Sequence, residues 1–245
     1  MSAAVAGLRS PLYVERRGAG SVLVMLHGGG GGIDDLAALR DRLLPGRQII
    51  SPDQRGHGRS AGDGAISYAA QAADTMALLD ELAIGPADVL GWSDGGIVAL
   101  LIARDRPDLV RRAVAISANA SLVALPPAYD KESIAWFATA DSSELSIPAG
   151  RDRLLNGVAD WPVTATKILA MWRDGPDLDL DTLARISLPV LYLAADGDAI
   201  QPEHTVAMYR ATPGAQTAIV PNATHRLVQT HVEVVAAIVE RFLTG

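Results

Sequence analysis

Ser93 stands in the segment Gly91-Trp92-Ser93-Asp94-Gly95-Gly96, with glycine two residues before it and two residues after it. The segment follows the short apolar run Ala87 to Leu90 and leads into Ile97 to Ala103, an apolar stretch that reads as a buried helix. A strand, a turn too tight for side chains at Gly91 and Gly95, and a helix would together hold the Ser93 hydroxyl at the tip of the turn. A serine hydroxyl is a poor nucleophile at neutral pH. It needs a base to take its proton and an acid to orient that base. Ser93 is therefore a candidate nucleophile, set against the plainer account of a tight turn with an ordinary serine, and the chain must supply a histidine and a carboxylate elsewhere.

Histidine is scarce, with five in 245 residues. His27 precedes the run Gly28 to Gly32, and His57 lies in the loop DQRGHGRS, Asp53 to Ser60. His204 falls at the start of one predicted helix, His225 in the loop before the last helix, and His231 inside that helix. Asp196 and Asp198 follow the predicted strand Pro189 to Ala195. The glycine run invites a phosphate-loop reading, but no Gly-Lys-Ser/Thr follows it and Ile33 stands where a dinucleotide fingerprint needs glycine. Asp34 and Asp35 would also repel phosphate. Glycines that let backbone amides approach a developing oxyanion fit the run better.

The elements that must position these residues alternate along the chain. Strands are predicted over Ser21 to Leu26, Arg47 to Ser51, Ala87 to Leu90 and Arg111 to Ser117. Between them come helices over Asp34 to Leu44, capped by Asp34 or Asp35, over Tyr68 to Ala83, and after Ser93. This order is the signature of a parallel sheet with helices on both faces. The alternation breaks between Asn119 and Arg185, a stretch with three of the four tryptophans and helix-like pieces separated by prolines. It resumes with Pro189 to Ala195, a helix over about Glu203 to Ala211, a strand over Gln216 to Val220 and a helix over about Val228 to Leu243.

Across nearly its whole length the sequence resembles the α/β-hydrolase family, through SVLVMLHGGGGG, DQRGHGRS, GWSDGG, LPVLYLAADGDAIQP and IVPNATH. The resemblance implies an α/β-hydrolase fold, a mostly parallel doubly wound sheet with a small helical cap inserted after the sixth strand. The core would be residues 1–118 and 186–245, and the cap 119–185. The family's chain order is nucleophile, acid, histidine, which implies Ser93, then Asp198 in preference to Asp196, then His225 as base. The family's alternative acid position, after the preceding strand, holds Ala118 and Asn119, which cannot serve. His27 and His57 would be structural, and His204 and His231 helix-face or capping residues. The oxyanion donors would be the amides of Gly29 and Asp94.

The Asp94 carboxylate is a departure from a generic elbow, because negative charge there works against an oxyanion. Its plain role is to favour a helix N-terminus. The sharper one is to receive a cation on the substrate. The segment GWSDGGI is similar to that of the valacyclovir hydrolase (biphenyl hydrolase-like) branch, which cleaves α-amino acid esters, and HGG and DQRG resemble motifs of prolyl aminopeptidases. The long cap of the aminopeptidases is missing, and so is their tryptophan directly after the serine. Trp92 either lines the pocket or packs behind the sheet. Trp136, Phe137, Trp161 and Trp172 are expected on the inner face of the cap, with Asp94, Trp92, Trp136 and Trp161 as the substrate-binding set.

Composition bounds the remaining classes. About half the residues are apolar, enough for one sizeable core. A net charge of −7 with no basic cluster gives no attraction to nucleic acid or anionic lipid. There is no cysteine, no metal motif and no apolar run near the roughly 20 residues that span a bilayer. The expectation is a cytoplasmic serine esterase acting on a small molecule without cofactor or metal, with homo-oligomerisation left open. Rivals on the same fold are C–C bond and lactone hydrolases, cofactor-free haloperoxidases or perhydrolases, and slow-turnover small-molecule receptors.

Overall fold

The apolar runs become strands of one sheet. The computed structural model describes residues 3–4, 10–60, 64–122 and 161–245. Among these the strands are β1 (Ala3–Ala4), β2 (Val14–Gly18), β3 (Ser21–Leu26), β4 (Arg47–Pro52), β5 (Ala87–Trp92), β6 (Val110–Ile116), β7 (Val190–Gly197) and β8 (Gln216–Thr224). Their order across the sheet is β1-β2-β4-β3-β5-β6-β7-β8. Every pair from β4 to β8 is parallel, and β2 runs antiparallel to both neighbours. The chain steps from β3 outward to β4 and then returns to the other side of β3 to form β5, so the winding reverses between β3 and β5. A crevice opens at the carboxyl ends of strands at such a point, and those two ends carry the glycine run and Ser93.

The helices are α1 (Ala37–Leu43), entered through the 3-10 turn Ile33–Leu36, α2 (Tyr68–Glu81), α3 (Asp94–Asp105), α4 (Trp161–Asp174), α5 (Leu180–Leu183), α6 (Pro202–Ala211), α7 (Leu227–Thr230) and α8 (Val232–Thr244). They cover both faces. Alternation along β3 sends Val24 and Leu26 to one face with Leu79 of α2 and Val98 of α3, and Leu23 and Met25 to the other with Leu39 of α1 and Val239 of α8. Of the segment expected as a cap, α4 and α5 are described. Ile168, Leu169 and Met171 of α4 are buried in the same apolar layer as α3.

Several boundaries differ from the sequence expectation. Strand β2 carries Glu15, Arg16 and Arg17 and shows no apolar alternation, yet Glu15 is buried because Arg17 and Arg59 pair with it. The helix expected from Asp34 starts as a tighter turn capped by Gly32, and Asp35 reaches back to accept the Gly32 N–H at 3.0 Å. Asp34 does not cap it. The final helix is broken at His231, which forms the junction between α7 and α8 and does not lie within a helix. Strand β8 runs four residues past Val220, to Thr224, where it pairs with Gly197 of β7.

Close approach fixes the elbow. A methyl group added at Gly91 would fall on the Gly95 carbonyl, and one at Gly95 on the Leu26 carbonyl, so α3 sits directly against β5 and β3. Backbone atoms cannot move aside as a flexible side chain can. Gly91→Ala is therefore expected to lose about 3 kcal/mol or more of stability in urea denaturation. A loss under about 1 kcal/mol would show that the turn relaxes.

Candidate active site

Ser93 lies at the junction of β5 and α3 with φ 55° and ψ −123°, a conformation that non-glycine residues hold only where the surroundings enforce it. Its N–H is tied to the Ile116 carbonyl at 2.8 Å, and its carbonyl accepts from Gly96 and Ile97 at 2.8 and 3.2 Å. The turn leaves the hydroxyl pointing at His225, whose Nε2 is 3.0 Å from Ser93 Oγ. On the far side of the ring Nδ1 lies 2.7 Å from Asp198 Oδ1. A carboxylate at Nδ1 holds the proton there, so Nε2 is free to accept from the serine.

Asp198 is placed by β7 and shut away from solvent. Its Oδ1 also accepts the Ile200 N–H at 3.0 Å, and its Oδ2 accepts a short hydrogen bond from the Ser117 hydroxyl. Burial pushes its pKa up, but the bond and charge of His225, with the Ser117 and Ile200 bonds, outweigh this and hold it below the usual carboxylate value. Asp196, two residues earlier, is turned the other way. It accepts from the Asn222 and Ala223 amides at 3.0 and 3.2 Å and so pins the end of β8, just before His225.

Trp92, expected in the substrate-binding set, lies against Gly28 beside the elbow. It packs into the apolar layer shared with α1 and α8, and its indole N–H donates to the His225 carbonyl at 2.9 Å. The tryptophan thus supports the imidazole from behind, with ring centroids 5.5 Å apart. Trp136 and Phe137 lie outside the described residues, and so does the side chain of Trp161.

The glycine run is held in register by buried histidines. His27 Nε2 accepts the Gln54 N–H at 2.9 Å, and the Gln54 side chain donates to the His27 carbonyl at 2.6 Å. His57 Nε2 accepts the Gly30 N–H at 3.0 Å, while its Nδ1 lies 2.9 Å from the Arg55 carbonyl. The amides of Gly31, Gly32 and Ile33 are used in turn by the Gly28 carbonyl, Asp35 and Asp53. The amides from Gly30 to Ile33 are thus occupied, and the candidates facing a substrate are at the head of the run. Methyl groups at Gly28 and Gly29 would meet Ser93 and Asp94 respectively, so both glycines lie against the elbow.

Asp94 is buried, with 5% of its surface exposed. Its Oδ1 accepts from the Tyr68 hydroxyl at 2.9 Å and its Oδ2 from the Trp172 indole N–H at 2.7 Å. Burial raises its pKa, against the lowering effect of those two bonds. As the first residue of α3 its own amide has no acceptor within the helix. Sequence reasoning missed Tyr68 and Ser117. Trp172, expected on the inner face of the cap but not in the substrate-binding set, is the tryptophan that reaches Asp94. His204 lies in the first turn of α6, and its ring accepts the Ala120 N–H at 3.0 Å, tying the chain just beyond β6 to that helix.

Among the described residues no three His, Asp or Glu side chains converge as metal ligands, and no helix is long and apolar enough to cross a membrane.

A serine, a histidine and an aspartate hydrogen-bonded in series at the carboxyl edge of a doubly wound sheet make the arrangement that serine hydrolases use. Residues 23–238 match the alpha/beta hydrolase family, to which this chain belongs. The mouse (Mus musculus) sn-1-specific diacylglycerol lipase ABHD11 is 29% identical over 234 residues, covering 83% of this chain and 74% of the relative. The pimeloyl-[acyl-carrier protein] methyl ester esterase of Yersinia enterocolitica is 27% identical over 241 residues, covering 90% and 92%. The crystal structure of a hydrolase from Pseudomonas aeruginosa PA01 shares the fold, with a TM-score of 0.79 at 24% identity, covering 100% of this chain and 98% of the other. The chain is an esterase-type hydrolase.

His57 gives a test of the loop. Burial lowers its pKa from 6.5 to about 3, so the folded state keeps it neutral where the unfolded chain is protonated. Its contribution to stability is complete above pH 6.5 and is lost as pH falls toward 3. His57→Gln keeps an acceptor for the Gly30 amide and cannot titrate. Between those values wild type is expected to lose up to about 1.4 kcal/mol per pH unit more than the variant in urea denaturation. Parallel stability curves would assign the slope to other groups.

Proposed function

We propose that the protein hydrolyses uncharged carboxylic esters of small molecules through an acyl-enzyme on Ser93. The observation that carries this is the Asp198–His225–Ser93 hydrogen-bond chain, with Ser93 held in a turn that exposes its hydroxyl. Ser93 Oγ attacks the ester carbonyl carbon while His225 Nε2 takes its proton. The carbonyl oxygen becomes an oxyanion in reach of the amides of Gly29 and Asp94, each such donor contributing about 10² to 10³ in rate. Collapse breaks the bond to the alcohol oxygen, which leaves with the proton from His225. Water, deprotonated by His225, then attacks the acyl carbonyl, releases the acid and restores Ser93. Asp198 stays ionised throughout and stabilises the imidazolium, in keeping with its lowered pKa.

The relatives support ester chemistry: a diacylglycerol lipase and a methyl ester esterase share most of the chain. The narrower reading, α-amino acid esters with their ammonium on Asp94, comes from the elbow's similarity to the valacyclovir hydrolase branch. It has to compete with the two donors already on that carboxylate. We place the protein in the cytoplasm, with Gly29 and Asp94 as oxyanion donors, residues 119–185 as the cap and a small-molecule substrate as partner.

Ser93→Ala is expected to abolish both ester hydrolysis and labelling by a fluorophosphonate probe, read by mass spectrometry of the intact protein. Labelling that persists would remove Ser93 as nucleophile. A panel of matched esters with and without an α-amino group, run on wild type and Asp94→Asn, separates the two substrate readings. If Asp94 binds an amine, the amino esters alone lose roughly tenfold to a thousandfold in kcat/KM. A similar loss on both series favours uncharged esters.

A further inference from the structure

One carboxylate joins three elements beside the nucleophile. Asp94 opens α3, Tyr68 opens α2, and Trp172 comes from α4, in the segment between β6 and β7. The contact extends to the glycine loop, because a methyl added at Gly29 would meet not only the Asp94 carboxylate but also Trp172 Cζ2, at 2.9 Å. The indole therefore lies on the Gly29 backbone while its N–H holds the side chain of Asp94. These are the two residues whose amides face the oxyanion in the mechanism above.

We propose that Asp94 and Trp172 form a latch that couples the position of helix α4 to the oxyanion amides, with Trp172 as a positioning residue. The inference rests on the esterase reading of Ser93. Two neutral donors on Asp94 have two effects. They spread the negative charge of a carboxylate that would otherwise oppose the oxyanion, and they prevent the side chain from rotating and carrying the first turn of α3 with it. Without the indole N–H, the Asp94 side chain and the Gly29 backbone that packs on it lose their common stop. Oxyanion donors act in the transition state and hardly in the ground state, so a loosened latch lowers kcat and leaves KM nearly unchanged.

The test uses Trp172→Phe, which keeps an aromatic ring and removes the donor, and Asp94→Asn, which offers one carbonyl to two donors. With p-nitrophenyl acetate each single variant is expected to lose roughly tenfold in kcat with KM changed by less than about twofold. Residues that act as one unit are not additive, so the double variant should also lose roughly tenfold and not a hundredfold. Losses that multiply, or that fall on KM alone, would overturn the latch. A second readout needs no activity. The Trp172 indole N–H resonance in a ¹H–¹⁵N spectrum, assigned by its absence in Trp172→Phe, should move upfield in Asp94→Asn and hold its place in Tyr68→Phe. An unmoved resonance in Asp94→Asn overturns the proposal even if Trp172→Phe does not fold. Hydrolysis that survives Ser93→Ala would sink the esterase reading instead, and the resonance would still judge the contact.

Discussion

The site depends on one backbone constraint, the left-handed turn at Ser93. A residue with a side chain holds φ 55° only if its neighbours leave no alternative, at a cost of order 1–3 kcal/mol. Here the absence of side chains at Gly91 and Gly95 lets α3 come down onto β5 and β3, and the packed layers on both faces of the sheet hold it there. The same approach brings the head of the glycine run against the elbow. The position of the Ser93 hydroxyl and the closeness of Gly28 and Gly29 to it both follow from that contact.

Around the turn, polarity is handled by pairing. The buried histidines at positions 27 and 57 use neutral ring nitrogens to accept backbone amides, while Asp35 and Asp53 take others. Buried polar groups are costly unless hydrogen-bonded. The result is a loop whose amides are assigned one by one, and the glycines that remain face the nucleophile. Asp198 is similarly surrounded by donors, and Ser117, with φ 51°, is another residue held in an uncommon backbone region to supply one of them.

The sheet and the residues brought together around Ser93 were legible because their signals are local. Alternation and glycine spacing lie within a few residues, and β3 begins and ends where its apolar run does. Strand β2 was hidden because its charged residues show no apolar alternation, while it is held by pairing with β4 and its buried Glu15 is matched by Arg17 and by the distant Arg59. Ser117 was hidden because its hydroxyl serves Asp198, 81 residues away, and nothing in the local sequence marks it as a donor. Tyr68 was read only as the start of a helix. Its tie to Asp94 spans 26 residues and exists only once α2 and α3 are packed. Trp92 carried two readings in the sequence, and in the fold its ring packs into the apolar layer while also lying against Gly28.

The pairing of Gly197 with Thr224 across β7 and β8 has a further meaning for how the acid meets the base. Asp198 and His225 are the residues that follow these two partners, so the acid and the base leave adjacent strands side by side. Their approach begins with the pairing of adjacent strands and is completed by the bonds that Ser117 and Ile200 make to Asp198 and Trp92 to His225. The acid and base are thus carried by the sheet, while the stretch between β6 and β7 meets the elbow through Trp172.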